Sequence, residues 1–166
     1  WKACRTSTDK QVRNLSAIAM GQIGGVKNGE RLMALLRAEK GPLRGWAALA
    51  LGLLAHHEPT TTQKEVADKV GPALLKQMAG TSNRDVRSAI AVALGLARYK
   101  PSAQQLRKLL KKYRQDENFG GYLCIGLALM DDEEAVDLIE DVLKDSSLQP
   151  LLMTHAALAL ARLQKR

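Results

Sequence analysis

The sequence predicts an all-α protein, a right-handed α-solenoid built from about four and a half helical hairpins. The first observation is that five eight-residue segments of similar sequence can be aligned, with successive spacings of 31, 43, 31 and 35 residues. The second is that each segment has a glycine or alanine at its fifth position: Gly21, Gly52, Gly95, Gly126 and Ala161. A repeat of this length is typical of stacked helical hairpins that bury a continuous core. The third is that no segment alternates apolar and polar residues with a period of two, so no strand is predicted.

Each aligned segment lies in a helix, called here an A helix, whose apolar residues recur at steps of three and four. In the first A helix this apolar face comprises Val12, Leu15, Ile18, Ala19 and Ile23. A glycine inside a helix costs about 1 kcal/mol relative to alanine. Glycines at the same position of four helices therefore predict a compensating gain, the close approach of the backbone of a partner helix.

A second set of helices, the B helices, lies between the A helices. Asn28 is predicted to cap the first B helix, and Gly41-Pro42 to begin the A helix that follows it. Pro72 is expected to kink or split the second B helix. The other predicted starts are capping boxes or a close variant: Thr62 with Glu65, Ser102 with Gln105, and Asp131 with Glu134. The expected order is nine alternating helices that begin and end with an A helix.

Length and composition indicate a single domain over residues 1–166, since 46% hydrophobic content suffices for a continuous core. The chain opens WKACRTSTDK, without an initiator methionine or an apolar signal core, and we therefore expect a piece of a longer protein. No stretch approaches the ~18–20 apolar residues of a membrane span. Cys4 and Cys124 show neither metal-ligand spacing nor a disulfide framework, and Cys124 is expected to be a small buried thiol. This cysteine usage fits a reducing compartment but leaves the localisation open.

Three pairs of residues precede the small residues of the A helices: Val12-Arg13, Leu43-Arg44 and Val86-Arg87. With the Ala-Leu-Gly-like core that follows, as in VRSAIAVALG, nearly the whole chain resembles HEAT and HEAT-like repeats, including the short type of phycobilisome lyase-like proteins. The resemblance implies a solenoid but no particular function, since such folds host many unrelated roles. In similar repeats these arginines bond inter-helix loops or neighbouring acidic residues, which implies a structural role here. The fourth copy departs from the pattern, and its Gly120-Gly121 pair is expected to loosen the start of that A helix.

Charge is unevenly distributed along the chain. Residues 1–130 carry 21 Lys and Arg against 9 Asp and Glu, whereas residues 131–166 carry 4 against 8. The third B helix is basic and the fourth is acidic, and helices packed ~8–10 Å apart allow such side chains to meet. Three uses of these charges stay open: pairing or plain solvation, a charged protein partner, or the phosphates of a nucleic acid. The candidate partner-binding residues are Arg107, Lys108, Lys111, Lys112, Asp137 and Glu140.

No catalytic, cofactor-binding or metal-binding residue is predicted. His56, His57 and Glu58 form one cluster of metal-ligand types, without the further spaced ligands that a closed site needs. No cysteine or serine lies in a motif with a base, and no glycine loop suits a phosphate. The predicted function is a non-enzymatic scaffolding module that binds a protein partner through its curved B-helix surface. The alternatives are a nucleic-acid-binding module that uses the basic residues of 1–130, and an enzyme-associated module whose chemistry lies in another part of a longer chain.

Overall fold

The computed structural model describes residues 1–57 and 64–165 of the chain. Within these ranges the chain folds into ten α-helices and two 3-10 turns, at Lys100–Ser102 and Glu133–Ala135, and contains no strand, as predicted. The A helices are α2 (Lys10–Ile23), α4 (Pro42–His56), α6 (Arg84–Leu96), α8 (Glu117–Leu129) and α10 (Pro150–Leu163). The B helices are α3 (Val26–Ala38), α5 (Lys64–Ala79), α7 (Ala103–Tyr113) and α9 (Val136–Asp145).

One further helix, α1 (Lys2–Thr6), precedes the first A helix and was not predicted. Five residues are too few to show a helical period, so the sequence carries no signal for it. With α1 included, the ten described helices form five successive pairs, because each A helix packs on the helix before it. The A helices also pack on one another in chain order, from α2 through α4, α6 and α8 to α10, and these are the most extensive contacts between helices.

The aligned glycines bring the backbones of successive A helices together. A Cβ atom placed on Gly52 of α4 would lie 2.8 Å from the Cα of Ala93 in α6. Gly21 and Gly95 meet the backbone of the next A helix in the same way. Gly126 meets the backbone of Ala91 in the preceding A helix, α6. The predicted close approach is therefore confirmed, and the partner of each glycine is a neighbouring A helix rather than a B helix.

Two of the predicted B-helix starts are wrong, and a third is right in position but not in its capping bond. Helix α7 begins directly after Ser102, as predicted, but the hydroxyl of Ser102 donates to the carbonyl of Tyr99 and makes no capping bond. Asn28 lies inside α3, where its side-chain amide donates to the carbonyl of Gly24. Asp131, with a φ of 55°, lies in the turn before the second 3-10 turn. Short polar side chains can bond a nearby carbonyl or a charged neighbour as readily as they cap a helix, and sequence does not distinguish these uses.

The second B helix is not split at its Gly-Pro pair. Helix α5 runs from Lys64 to Ala79 with Pro72 inside it, because Val70 and Leu74 on either side of the pair are fully buried. A Cβ atom on Gly71 would meet the ring of Tyr99, so this glycine makes room for an aromatic side chain. The predicted Thr62 cap lies outside the described residues.

The apolar face predicted for the first A helix is not the face that α2 buries. Val12, Leu15 and Ile23 are 42%, 62% and 77% exposed, Ala19 is also exposed and Ile18 is half-buried, whereas the core residues of α2 are Ala17 and Met20. The predicted face is uncovered because, among the described residues, no A helix packs on that side of α2.

The fourth A helix is not loosened by its two glycines. A Cβ atom on Gly120 would lie 2.8 Å from the carbonyl oxygen of Tyr113, and Gly121 lies against the imidazole of His155. The ring of His155 is 5.1 Å from that of Tyr122, and its buried Nδ1 has no hydrogen-bond partner among the described residues. The glycine pair thus lets α8 pack closely against its neighbours. Burial of His155 in this contact lowers the pKa of its imidazole.

Gly52→Ala is predicted to lower the free energy of unfolding by about 1–3 kcal/mol, because the new methyl group meets backbone that cannot move aside. This cost exceeds the ~1 kcal/mol that alanine gains in helix propensity. Urea unfolding provides the measurement, with Gly45→Ala in the same helix as the matched control. A Cβ atom on Gly45 comes no closer than 3.3 Å to its nearest neighbour, the Cβ of Ala89. Equal destabilisation by the two substitutions would contradict the proposed role of the close contact.

Acidification is predicted to destabilise the fold through His155. Its pKa in the folded chain is held below the ordinary value of 6.5, so the folded state favours the neutral ring. This contribution is complete above the unfolded pKa and is lost as the pH falls through 6.5 towards the lower folded value. Urea unfolding at about pH 7.5 and about pH 5 should show a larger loss of stability for the wild type than for His155→Gln. The same loss in both proteins would rule out His155 as the titrating group.

Candidate functional site

A groove of about 530 Å³ separates the basic helix α7 from the acidic helix α9. Each wall is formed by residues three or four positions apart, which lie on one side of a helix. The lining residues are Gln104, Arg107, Lys108 and Lys111 from α7, with Glu134, Asp137, Leu138 and Asp141 from α9 and the turn before it. The groove therefore has one basic wall and one acidic wall.

Arg107 ties the two walls together. Its Nη1 donates to both carboxylate oxygens of Asp132 at 2.7 Å, and its Nη2 lies 2.8 Å from a carboxylate oxygen of Glu134. The side chains of Arg107 and Asp132 are 19% and 8% exposed, so water screens this ion pair only weakly. Charge-assisted bonds of this kind are among the stronger hydrogen bonds in proteins. One predicted use of the charges, pairing between the two B-helix regions, is thus present at Arg107.

Three other candidate residues face the groove without such a partner. Lys108 and Lys111 form no ion pair with the described residues, and neither does Asp137 on the opposite wall. Of the other two acidic side chains of that wall, Glu134 pairs with Arg107 and Asp141 lies 3.9 Å from Lys144 of its own helix. The groove thus presents two unpaired ammonium groups opposite an unpaired carboxylate.

The remaining two candidates lie outside this groove. The ammonium of Lys112 is 5.3 Å from the ring centre of Tyr113 at the end of α7. Glu140 lines a different depression between α9 and α10, together with Leu143 and Leu160. Of the six residues predicted from sequence, the structure therefore brings four together: Arg107, Lys108, Lys111 and Asp137.

Five residues of the site were not among the candidates from sequence. Asp132 and Glu134 hold Arg107, and Gln104, Leu138 and Asp141 complete the lining. Helical spacing could have found some of these residues. Gln104 precedes Lys108 by four positions and Glu134 precedes Leu138 by four, and residues four apart lie on the same side of a helix. Spacing could not predict that Asp132 is the partner of Arg107, because this pair depends on how two separate helices pack.

The arginines of the A-helix starts are structural, as the resemblance implied. The Nη2 of Arg13 lies 3.4 Å from a carboxylate oxygen of Glu39, and the Nε of Arg44 donates to the carbonyl of the same residue. Arg87 departs from this pattern, because its guanidinium stacks 5.0 Å from the ring centre of Phe119. These arginines connect helices and loops and contribute nothing to the groove.

The two cysteines are not suited to act as nucleophiles. Cys4 and Cys124 are both buried, and burial raises the pKa of the Cys124 thiol to about 12, so it stays protonated at neutral pH. The prediction that Cys124 is a small buried thiol is confirmed.

The cluster of His56, His57 and Glu58 is described only in part. The Nδ1 of His56 lies 3.2 Å from the carbonyl oxygen of Leu96, and Glu58 lies outside the described residues.

The described part of the chain offers neither a metal site nor a membrane-spanning helix. Across residues 1–57 and 64–165, no three histidine, cysteine or acidic side chains gather closely enough to hold a metal ion. No helix in these ranges combines the length and the apolar composition needed to cross a bilayer. The chemistry that the groove itself offers is the binding of charged groups by fixed side chains.

Comparison with known proteins finds no family model that matches this chain and no curated protein that is similar to it.

Arg107→Met is predicted to lower the free energy of unfolding by about 2–4 kcal/mol, because it leaves Asp132 buried without its partner. Adding Asp132→Asn should recover part of the loss by removing the unpaired charge. Urea unfolding of the single and double variants measures both effects. Lys108→Met on the same helix is the control and should change stability by less than about 0.5 kcal/mol. If the Arg107 and Lys108 variants are equally stable, the ion pair does not hold the walls together.

Proposed function

We propose that this chain is a right-handed, HEAT-like α-solenoid domain that binds a protein partner in the groove between α7 and α9 and acts as a scaffold. The solenoid proposal is supported by the five successive helix pairs and by the A helices that pack in chain order. Such stacking leaves one side of every B helix free to contact a ligand, which is how repeat proteins present extended binding surfaces.

The observation that carries the proposal is the opposite charge of the two groove walls. Lys108 and Lys111 suit acidic side chains of a partner, and Asp137 suits a basic one. The partner predicted by this arrangement is a protein segment with an acidic block next to a basic block. Complementary charges of this kind select the partner and fix its register, because the reversed orientation places like charges opposite each other.

The groove is also held in place before any partner arrives. Arg107 connects α7 to Asp132 and Glu134 on the far wall, so the separation of the walls is fixed by bonds within the chain. A preformed site loses less conformational entropy on binding than a flexible one. Arg107 in this proposal shapes the site, whereas the two lysines and Asp137 make the contacts.

A nucleic acid suits this groove less well than a protein does. Its phosphates could contact Lys108 and Lys111, a type of contact that dominates non-specific nucleic-acid affinity. The acidic wall, with Glu134, Asp137 and Asp141, lies opposite these lysines and repels phosphate. The two ligand classes can be separated in the same binding experiment.

Lys108→Glu/Lys111→Glu is predicted to weaken binding of a mixed-charge peptide by at least about tenfold, a loss of 1.4 kcal/mol. The probe is a fluorescent peptide with an acidic block followed by a basic block, and its binding is measured by fluorescence anisotropy at low salt. A peptide of the same composition with alternating charges tests whether the order of charges matters.

The matched control is Lys69→Glu/Lys76→Glu on α5, which makes the same change in net charge away from the groove. An equal loss in this control, or equal affinity for the two peptides, would contradict a groove that reads charge order. A labelled DNA duplex completes the experiment. Tight DNA binding that falls steeply with salt and disappears in Lys108→Glu/Lys111→Glu would favour the nucleic-acid alternative.

A further inference from the structure

Three cationic side chains surround the ring of Tyr113, the last residue of α7. The Cζ of Arg84 lies 5.4 Å from the centre of this ring, and the Cζ of Arg87 lies 5.7 Å from it. The ammonium of Lys112 lies 5.3 Å from the same centre. The packing of α6 against the end of α7 thus gathers these four residues, called here the Tyr113 corner. None of them lines the groove between α7 and α9.

One of the three cations has a carboxylate partner. The Nη1 of Arg84 donates to a carboxylate oxygen of Asp116 at 2.7 Å. The other oxygen of Asp116 accepts from the backbone N–H of Phe119 at 2.9 Å and caps α8. Asp116 therefore neutralises Arg84 and holds the start of α8, and it forms no ion pair with the other two cations of the corner.

The charges of Arg87 and Lys112 are not neutralised within the described part of the chain. Neither side chain forms an ion pair there. The Nε of Arg87 is buried and has no hydrogen-bond partner among the same residues. Its guanidinium stacks 5.0 Å from the ring centre of Phe119, which holds it in place but leaves its charge uncompensated. Two unpaired cations beside one ring repel each other, and an anion bound between them would relieve this repulsion.

The equivalent arginines of the earlier repeats show what Arg87 lacks. Arg13 lies 3.4 Å from a carboxylate oxygen of Glu39, and Arg44 donates to the carbonyl of the same residue. Arg87 occupies the same position of its A helix, yet it turns to the aromatic rings of the next repeat. The third repeat therefore departs from the pattern in a way that leaves a guanidinium available to a ligand.

The phenol of Tyr113 faces the two unpaired cations. Hydrogen bonding by Arg87 and then the charge of Lys112 lower the pKa of Tyr113, so both cations lie near its oxygen. The ring packs edge to face on that of Phe119, with 5.1 Å between the ring centres, which fixes its position. Lys112 is exposed, and Arg87 and Tyr113 are half-buried, so a ligand can reach the corner from solvent.

We propose that the Tyr113 corner binds a phosphate monoester through the guanidinium of Arg87, the ammonium of Lys112 and the hydroxyl of Tyr113. Such a group carries a charge of about −1.5 to −2 at pH 7, which suits two cations, whereas a carboxylate neutralises only one. Its terminal oxygens can accept from all three side chains at once. The proposal is independent of the groove between α7 and α9.

The test measures anion binding to the whole chain by NMR. Inorganic phosphate is titrated into the protein at about pH 7.5 and low salt, conditions in which the anion is mostly doubly charged and weakly screened. Saturating shifts are expected for the Nε–H of Arg87 and for the backbone amides of Lys112 and Tyr113. Acetate, with one charge, should bind at least about fivefold more weakly than phosphate.

A peptide with a single phosphoserine distinguishes two sources of the phosphate. Binding at least about tenfold tighter than that of inorganic phosphate would indicate the modified side chain of a protein partner. Equal affinity would indicate a small phosphorylated molecule. Both outcomes require the same three side chains of the Tyr113 corner.

Variants of the corner test each contact separately. Lys112→Met and Arg87→Met should each weaken phosphate binding at least about tenfold, whereas Lys112→Arg should retain most of it. Tyr113→Phe keeps the ring and removes only the hydroxyl, and it should weaken binding about threefold. Arg114→Met is the matched control and should change the affinity by less than about twofold. It removes the same charge next to Tyr113, but from a side chain that lies 3.5 Å from a carboxylate oxygen of Asp145.

Three results would overturn the proposal. In the first, phosphate causes no saturating shift at the corner. In the second, acetate binds as tightly as phosphate. In the third, Arg114→Met weakens binding as much as Lys112→Met does, which indicates a diffuse basic surface. Circular dichroism verifies the fold of every variant, and if Arg87→Met does not fold, Lys112→Met and Tyr113→Phe decide the outcome.

Discussion

Backbone-to-backbone contact between successive A helices is the constraint on which this structure depends. Each glycine of the aligned register costs helix propensity, about 1 kcal/mol relative to alanine. In return, two helices approach until atoms of both backbones are in contact, which adds dispersion energy along the whole crossing. Gly52 against Ala93 shows how little room is left, since a single added carbon would lie 2.8 Å from the neighbouring Cα. The spacing of the A helices is set at these points, and the B helices take their positions from the A helices on which they pack.

The groove between α7 and α9 is a consequence of that spacing. Helices α8 and α10 pack closely, so the B helices that accompany them come near enough for Arg107 to reach Asp132 and Glu134. A wider separation would place these carboxylates beyond a guanidinium. The same ion pairs remove Arg107 from the set of free charges and leave Lys108, Lys111 and Asp137 to face solvent. The regular part of each repeat thus positions the site, and the residues that vary from repeat to repeat carry its chemistry.

Much of the architecture could be predicted because its causes are local. Apolar residues at steps of three and four indicated the A helices, the aligned glycines indicated close helix contacts, and Cys124 in an alanine column indicated a small buried residue. Candidate site residues were found from charge alone, and four of six lie in one groove. Lys112 and Glu140 are separated from it, because adjacent positions on a helix can contact different neighbours.

What the sequence by itself determined is the repeating helical unit, since helical period and side-chain size act over a few residues and need no knowledge of the rest of the chain. Only the tertiary structure decided what each unit contacts. Val12 and Val86 have the same side chain at the same repeat position, yet one is 42% exposed and the other 3%, because only Val86 has an A helix before it. The packing of separate helices likewise brings Asp132 to Arg107. It also places the ring of Tyr99 against Gly71. Burial and pairing depend on neighbours distant in sequence, and these neighbours exist only once the helices have packed.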